Sequence, residues 1–197
     1  RKYAGVHWNF PPKDNHIITL EETIGDLPSL DPFVKEKEYR DVFPEYEEKL
    51  KRGLAVSKWH FPKDHVWRNV EAMMHTPTGC SARQNEVYFP KKKDGTMVGG
   101  APRTYMRMDW DKPAPTITSY NHTISSFQNV HPGRLLPDGT YSDARVLTIF
   151  EMIRIMSLPD DWNIPDWAST QLIRTVIGEG VPPEAVRRIV KELKIKE

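Results

Sequence analysis

The C-terminal third of the chain has the clearest pattern of hydrophobic and polar positions. Apolar residues recur at helical spacing over residues 152–156, directly after the sequence Thr148-Ile-Phe-Glu151. This sequence has the form of a capping box, in which a threonine and a glutamate three residues later satisfy free backbone N–H groups. The pattern predicts a helix that begins after Thr148 and ends before Pro159, because proline cannot continue a helix.

Two more helices are expected after this one. The first covers residues 168–176 and is broken by Gly178-Glu-Gly180. The second opens at Pro182-Pro183, since proline is favoured in the first turn of a helix. An apolar stripe typical of core packing runs along this last helix through Val186, Ile189, Val190 and Leu193.

Shorter elements are expected in the rest of the chain. Thr19-Leu-Glu-Glu22 forms a second capping box, so the pattern predicts a short helix over residues 19–28. Another short helix is predicted over Trp67–Met74. Seventeen prolines favour loops and short strands elsewhere, with Asp-Gly turns at residues 94–95 and 138–139.

Composition is typical of a folded protein with one domain or slightly more. The 197 residues are 38% hydrophobic and include six tryptophans. No apolar run approaches the roughly 18 residues that a membrane span needs. The single cysteine excludes an internal disulfide, which suits a reducing, intracellular compartment. Because the chain begins with Arg1 rather than methionine, we expect further polypeptide before it.

The charged residues are unevenly distributed, although the net charge is only +1. Residues 21–48 carry ten acidic against three basic side chains, and residues 49–112 carry thirteen basic against six acidic. The basic stretch also contains Trp59, Trp67 and Tyr88. A basic stretch with interspersed aromatic residues is typical of nucleic-acid binding, and an ordinary solvated surface is the alternative.

Two C-terminal blocks carry a specific resemblance. Residues 145–162 and 176–183 together resemble the last two conserved blocks of the DNA cytosine-5 methyltransferases. Three positions depart from the family pattern. Phe150 replaces an arginine, Leu158 replaces a phenylalanine, and Glu179 stands where asparagine is more common.

The resemblance implies the DNA-recognition half of such an enzyme. The family's catalytic Pro-Cys-Gln and glycine-rich cofactor loop belong before these blocks, and the chain contains neither. The missing N-terminal half would supply the cysteine nucleophile, an assisting glutamate and most of the S-adenosylmethionine site. It is either part of the same chain or a separate subunit. Methyl transfer would go to C5 of a cytosine flipped out of a specific duplex sequence.

The resemblance also implies an order of parts and an α+β fold. Residues 1–18 would be a strand end and connector, and residues 19–147 a loop-rich small DNA-recognition domain with short strands. Residues 148–175 would be connecting helices, and residues 176–197 would complete an α/β S-adenosylmethionine-dependent domain. In the family this last turn contacts the cofactor, which implies contacts by Gly178, Glu179, Gly180 and Val181.

Residues 75–85, 105–107, 110–118 and 125–134 look like the target-recognition region of a subset of the family. Arginines suit phosphates and guanine edges, amides suit adenine edges, and hydroxyls suit phosphate oxygens, although many such residues also cap turns. The candidate DNA contacts are Arg83, Asn85, Arg103, Tyr105, Arg107, Thr116, Thr118, Ser125, Ser126, Asn129, His131, Arg134 and Arg145, with Asn121 and Gln128 as further amides. Expected partners are double-stranded DNA and the catalytic half, without a membrane, in the cytoplasm or nucleoid of a prokaryote or phage.

No catalytic or metal-binding residue is assigned. Cys80 lies in Gly-Cys-Ser rather than Pro-Cys-Gln and is interpreted as structural. His60 and His65 are five residues apart, which does not place two metal ligands on one helix face. Two alternatives stay open: a stand-alone, non-catalytic DNA-binding module, and a protein-interaction domain with an incidental basic patch. Steep salt dependence of binding would favour DNA over an apolar interface.

Overall fold

Six α-helices and four very short strands make up the regular structure of residues 6–195, which the computed structural model describes. The helices are α1 (Leu20–Ile24), α2 (Tyr46–Val56), α3 (Trp67–Met74), α4 (Ile149–Ile155), α5 (Thr170–Glu179) and α6 (Pro183–Lys191). The strands are β1 (Val6–Trp8), β2 (Phe33–Val34), β3 (Asp64–His65) and β4 (Leu193–Ile195). Short 3₁₀ turns cover Lys37–Val42 and Ala82–Gln84. This mixture of helices and short strands agrees with the predicted α+β class.

The strands pair in two separate two-stranded sheets. β1 runs antiparallel to β4, and β2 runs parallel to β3. Between residues 80 and 146 the strand-like contacts are isolated bridges, such as the one between Thr104 and Phe127. Both predicted Asp-Gly turns form, with φ of 82° at Gly95 and at Gly139.

Both predicted capping boxes form at the starts of α1 and α4. The hydroxyls of Thr19 and Thr148 accept hydrogen bonds from the backbone N–H groups of Glu22 and Glu151, at 3.3 and 3.1 Å. The two glutamate carboxylates accept in turn from the threonine backbone N–H groups, at 2.8 and 2.6 Å. The predicted helix over Trp67–Met74 is α3, and the predicted opening of the last helix at the proline pair is also confirmed.

The predicted break over Gly178-Glu-Gly180 is confirmed at its end, because α5 continues through Gly178 to Glu179 and has Gly180 as its C-cap. Gly178 instead allows close packing between α5 and a neighbouring loop. A Cβ placed on it would lie 2.2 Å from the carbonyl oxygen of Thr118. α5 also begins later than expected, with Ser169 as its N-cap.

Two hydrophobic cores meet at residues 143–151. Helices α1, α4 and α5 contribute the core that includes Leu147 and Ile149. Helix α3 and the surrounding loops contribute the core that includes Ala144 and Val146. The helix α1 therefore packs with the C-terminal helices, while the domain boundaries implied by the resemblance stay predictions. Among residues 6–195, no helix is long and apolar enough to cross a membrane.

Replacing Gly178 with alanine should destabilise the fold. Alanine normally favours a helix over glycine by about 1 kcal/mol, whereas overpacking against backbone costs about 1–3 kcal/mol. Because the clash at 2.2 Å is with a carbonyl oxygen, we expect the steric cost to win and the free energy of unfolding in urea to fall. Gly99→Ala is the control, since a Cβ there meets nothing within 4 Å. Equal unfolding free energies for the two variants would contradict this packing role.

Candidate nucleic-acid interface

Arg145 lies in the interior, between the two cores, rather than at the surface. Its side chain is fully buried, and it donates to both carboxylate oxygens of Glu151 at 2.9 Å each. It also donates to Asp143 at 2.7 Å and to the carbonyl of Leu30 at 3.2 Å. The phosphate contact expected for Arg145 is therefore wrong, because all of its surface is covered and its donors are engaged.

Asp143 ties an N-terminal segment to this buried ion pair. It has a φ of 50°, in the left-handed region that aspartate tolerates better than most residues. Its carboxylate accepts from the hydroxyl of Ser29 at 2.7 Å and from the backbone N–H of Leu30 at 2.9 Å. The network thus fixes two segments that lie 113 residues apart in sequence.

Charge pairing keeps the buried carboxylates ionised. Desolvation opposes ionisation, but attraction to Arg145 and His131, with hydrogen bonds, lowers the pKa of Glu151 to about 2. The same groups hold the pKa of Asp143 well below its usual range, again against desolvation. Desolvation lowers the pKa of His131 to about 4 despite both carboxylates, so this ring is neutral near pH 7.

Arg107 is a second predicted DNA contact that is fully buried. Its guanidinium donates to the carbonyls of Met73 at 2.9 Å and of His131 at 2.8 Å. Gly133 makes room for it, since a Cβ there would lie 2.3 Å from Nη1 of Arg107. Desolvation lowers the pKa of Arg107 to about 9. Arg107 therefore joins loops in the interior, and the expected contact of Arg107 with DNA is wrong.

The other predicted contacts that lie in the interior also hold loops together. Asn129 donates to the carbonyl of Thr123 at 2.9 Å, and the hydroxyl of Ser126 lies 2.9 Å from that of Thr123. His131 Nδ1 accepts from a backbone N–H at 3.1 Å. Their burial rules out direct base contacts in this fold for Tyr105, Asn121, Ser126, Asn129 and His131.

Seven predicted contacts keep surface exposure, but most of their polar groups are engaged. Arg134 forms a two-oxygen ion pair with Glu21 at 2.8 Å. Arg83 donates to the carbonyl of Val98 at 2.6 Å, and Asn85 accepts from two backbone N–H groups of its own turn. Side-chain hydrogen bonds within their own loops are made by Thr118 and Ser125. Arg103 and Thr116 form no side-chain hydrogen bond with other residues in the range 6–195.

Exposed cationic side chains gather on what we call the basic platform, formed by residues 90–104 and 123–128. Its exposed cationic residues are Lys91, Lys92, Lys93 and Arg103, and its exposed acidic residue is Asp94. A hydrogen bond of 2.9 Å from the backbone N–H of Gln128 to the carbonyl of Arg103 joins the two segments. Residues 90–104 of this platform are one part of the predicted basic stretch that keeps its cationic side chains exposed.

The predicted cofactor turn is only partly accessible. Glu179, Gly180 and Val181 are exposed, and Val181 keeps 66% of its surface. Gly180 also lines a cleft of about 650 Å³ that includes Thr116 and Pro182. Gly178 is packed against backbone, so any contact it makes with a ligand is indirect.

Arg174 is a buried residue that the sequence analysis missed. It donates to the carbonyl of Leu147 at 2.6 Å and to the side-chain oxygen of Asn121 at 3.3 Å. Desolvation lowers its pKa to about 10. The signal available was its position in α5 between the buried residues Ile173 and Ile177.

Comparison with known proteins identifies a family for this sequence. Residues 8–195 match the family model described as C-5 cytosine-specific DNA methylase. The chain belongs to this family. It is also 46% identical over 189 residues to the type II methyltransferase M1.HgaI of Avibacterium volantium. That match covers 96% of this chain and 47% of the relative, so the chain spans about half the length of the curated relative.

For this member of the C-5 cytosine-specific DNA methylase family, stability should fall in acid. The folded-state pKa values of His65 and His131, about 3 and about 4, lie below the ordinary 6.5. The unfolded chain therefore takes up protons that the folded chain does not as the pH falls below about 6.5. The free energy of unfolding should decrease by up to roughly 1.4 kcal/mol per pH unit for each histidine down to about pH 4. Glu151, with a pKa of about 2, adds a loss below about pH 4.5.

Urea unfolding between pH 7 and pH 4 tests this pH dependence. His131→Gln should reduce the slope, because it removes one of the three buried imidazoles whose pKa is lowered, which are those of His60, His65 and His131. His16→Gln is the control, since that ring lies at the surface. An unchanged slope in His131→Gln would contradict the burial of a neutral His131.

Proposed function

We propose that this chain is the DNA-recognition part of a DNA (cytosine-5-)-methyltransferase. In this role it holds a specific duplex sequence, with residues 19–147 as the recognition domain, while a cytosine is flipped out. A catalytic part carrying the cysteine nucleophile completes methyl transfer from S-adenosylmethionine to C5. This proposal rests on the family match across residues 8–195 in a sequence that lacks Pro-Cys-Gln. Because the relative is named a type II methyltransferase, we also propose a role in a restriction-modification pair.

The surface charge supports DNA binding by this chain. Residues 88–104 carry four basic side chains and one acidic side chain, Asp94. Asp94 accepts two hydrogen bonds from Thr96 within its own turn, at 3.0 and 2.6 Å, so it is engaged locally. Cations of this kind bind phosphates without regard to sequence and place the protein on the duplex.

The cofactor turn fits one edge of a binding site and not a whole site. Glu179 offers a carboxylate acceptor, Gly180 an exposed backbone and Val181 an exposed apolar side chain. S-adenosylmethionine, when bound, supplies the methyl group. These residues would close an edge of its pocket, and the catalytic part would supply the rest.

Exposed apolar stripes on α5 and α6 support docking to that catalytic part. Leu172 and Val176 lie one turn apart on α5, and Val186 and Val190 lie one turn apart on α6. All four are between 42% and 53% exposed. The core packing that the pattern of the last helix indicated is thus not formed at Val186 and Val190, while the side chain of Leu193 lies outside the described residues. Exposed apolar stripes of this kind mark protein contacts.

Labelled methyl transfer to duplex DNA tests the proposal. We expect no transfer by this chain alone and transfer when it is mixed with the separately produced catalytic part. Salt-sensitive DNA binding without transfer in the mixture would instead support a non-catalytic DNA-binding module. Transfer by the chain alone would contradict the assignment of the nucleophile to another part.

The docking stripes give a sharper variant. Val186→Asp should weaken complementation about tenfold or more, because docking would bury an unpaired carboxylate. Lys191→Gln, on the same helix, is the matched control. Equal complementation by both variants, measured as initial rate against concentration of the chain, would exclude this stripe from the interface.

Cys80 should not be needed for methyl transfer. It is half-buried, and its backbone bridges Pro77 and Arg107 through hydrogen bonds of 3.1 and 2.9 Å. We expect Cys80→Ala to leave the rate of the mixture within about twofold of the unsubstituted chain. Loss of transfer with unchanged DNA binding would show that Cys80 takes part in the reaction.

A further inference from the structure

We propose that Arg103 recognises a guanine in the target duplex and that Phe127 holds its guanidinium in place. This inference deepens the proposed function and rests on it. It assigns direct base recognition to one side chain on the basic platform and phosphate contact to the lysines beside it.

Of the five arginines among the thirteen predicted DNA contacts, Arg103 is the one that the fold leaves available. Arg107 and Arg145 are fully buried, and Arg134 is paired with a glutamate. Arg83 donates to a backbone carbonyl. Arg103 is exposed and makes no side-chain hydrogen bond or ion pair in the described part of the chain. Its donors are therefore free for a ligand.

The ring of Phe127 contacts the guanidinium of Arg103 through a cation–π interaction, and no ion pair is involved. The guanidinium carbon of Arg103 lies 5.7 Å from the centre of the Phe127 ring. Phe127 is 42% exposed and belongs to neither hydrophobic core, so packing in the interior does not explain it. A ring in this position orients the planar guanidinium before a ligand arrives and reduces the entropy lost on binding.

The backbone around Arg103 is fixed in an unusual shape. Tyr105 and Gln128 have φ values of 50° and 37°, in the left-handed region that disfavours residues other than glycine. Tyr105 is buried in the core, and Gln128 donates its N–H to the Arg103 carbonyl at 2.9 Å, which holds both residues there. Arg83 donates a hydrogen bond to the carbonyl of Val98 at 2.6 Å and so joins the 3₁₀ turn Ala82–Gln84 to the basic platform. Such strain persists only where the surroundings enforce it, and it is common at binding sites.

Guanine is the base that suits this side chain. Its O6 and N7 atoms form a pair of acceptors in the major groove, which a guanidinium meets with two parallel hydrogen bonds. Lys91, Lys92 and Lys93 are exposed at the neighbouring hairpin and have no ion-pair partner among residues 6–195. As flexible point charges they suit phosphates, which any sequence presents.

Selection from duplexes with randomised positions separates these two roles. The unsubstituted chain should enrich guanine at one position or more. Arg103→Ala should lose about 10- to 100-fold of that preference at one position and keep preferences elsewhere. Phe127→Leu should show a smaller loss at the same position. Lys92→Ala should bind every sequence more weakly, with a salt slope lower by about one and an unchanged sequence preference.

The outcomes distinguish this inference from the function beneath it. If the unsubstituted chain and Arg103→Ala select the same sequence, the role of Arg103 is overturned. The proposed function then still stands. Equal weakening of all sequences by Arg103→Ala would make it a phosphate contact and also overturn the inference. An unsubstituted chain without sequence preference would count against both. Thermal unfolding of each variant checks that the fold is retained.

Discussion

The buried ion pair of Arg145 with Asp143 and Glu151 lies where the two hydrophobic cores meet and ties them together. Burying one guanidinium is costly unless charges and hydrogen bonds compensate it, and here two carboxylates do so at 2.7 to 2.9 Å. Glu151 is at the same time the partner of Thr148 in the capping box of α4. The start of the helix, the joint between the cores and the N-terminal segment near Leu30 are therefore set together.

The arginines of this chain include buried ones with structural partners and one that stays available at the surface. Arg107, Arg145 and Arg174 lie in the interior, where they satisfy carboxylates and loop carbonyls that a loop-rich fold would otherwise bury unpaired. Arg103 remains on the surface. With few regular strands available, long side chains with several donors replace the hydrogen bonds that a sheet would supply.

Sequence patterns predicted the elements whose causes are local. The capping boxes at Thr19 and Thr148 and the proline pair before α6 depend on residues within one turn, so they were visible in the sequence. Long-range packing was not visible. Gly178 lies inside a helix because the backbone at Thr118 packs so closely that no side chain fits. Thr118 is 60 residues away in sequence. The helix α2 was not predicted, because Gly53 is the one buried residue in it and no buried apolar stripe marks the helix.

The candidate site was predictable in its chemistry and not in its placement. The resemblance identified the family, which the comparison confirmed, and it selected arginines, amides and hydroxyls as DNA contacts. It did not tell a surface arginine from a buried one, because the partners of Arg145 are two and six residues away and equally suit a surface ion pair. Phe150, where the family pattern has arginine, is buried and lies edge-on to His60 at 6.0 Å. That position is apolar in this fold.

Hydrogen–deuterium exchange of the chain with and without duplex DNA tests the central claim most directly. The claim is that the basic platform faces DNA while residues 143–151 form a buried joint. We expect DNA to slow exchange at residues 90–104 and 123–128 and to leave exchange in the acidic segment 36–48 unchanged. Slower exchange confined to residues 36–48 or to α6, with no change on the basic platform, would contradict it.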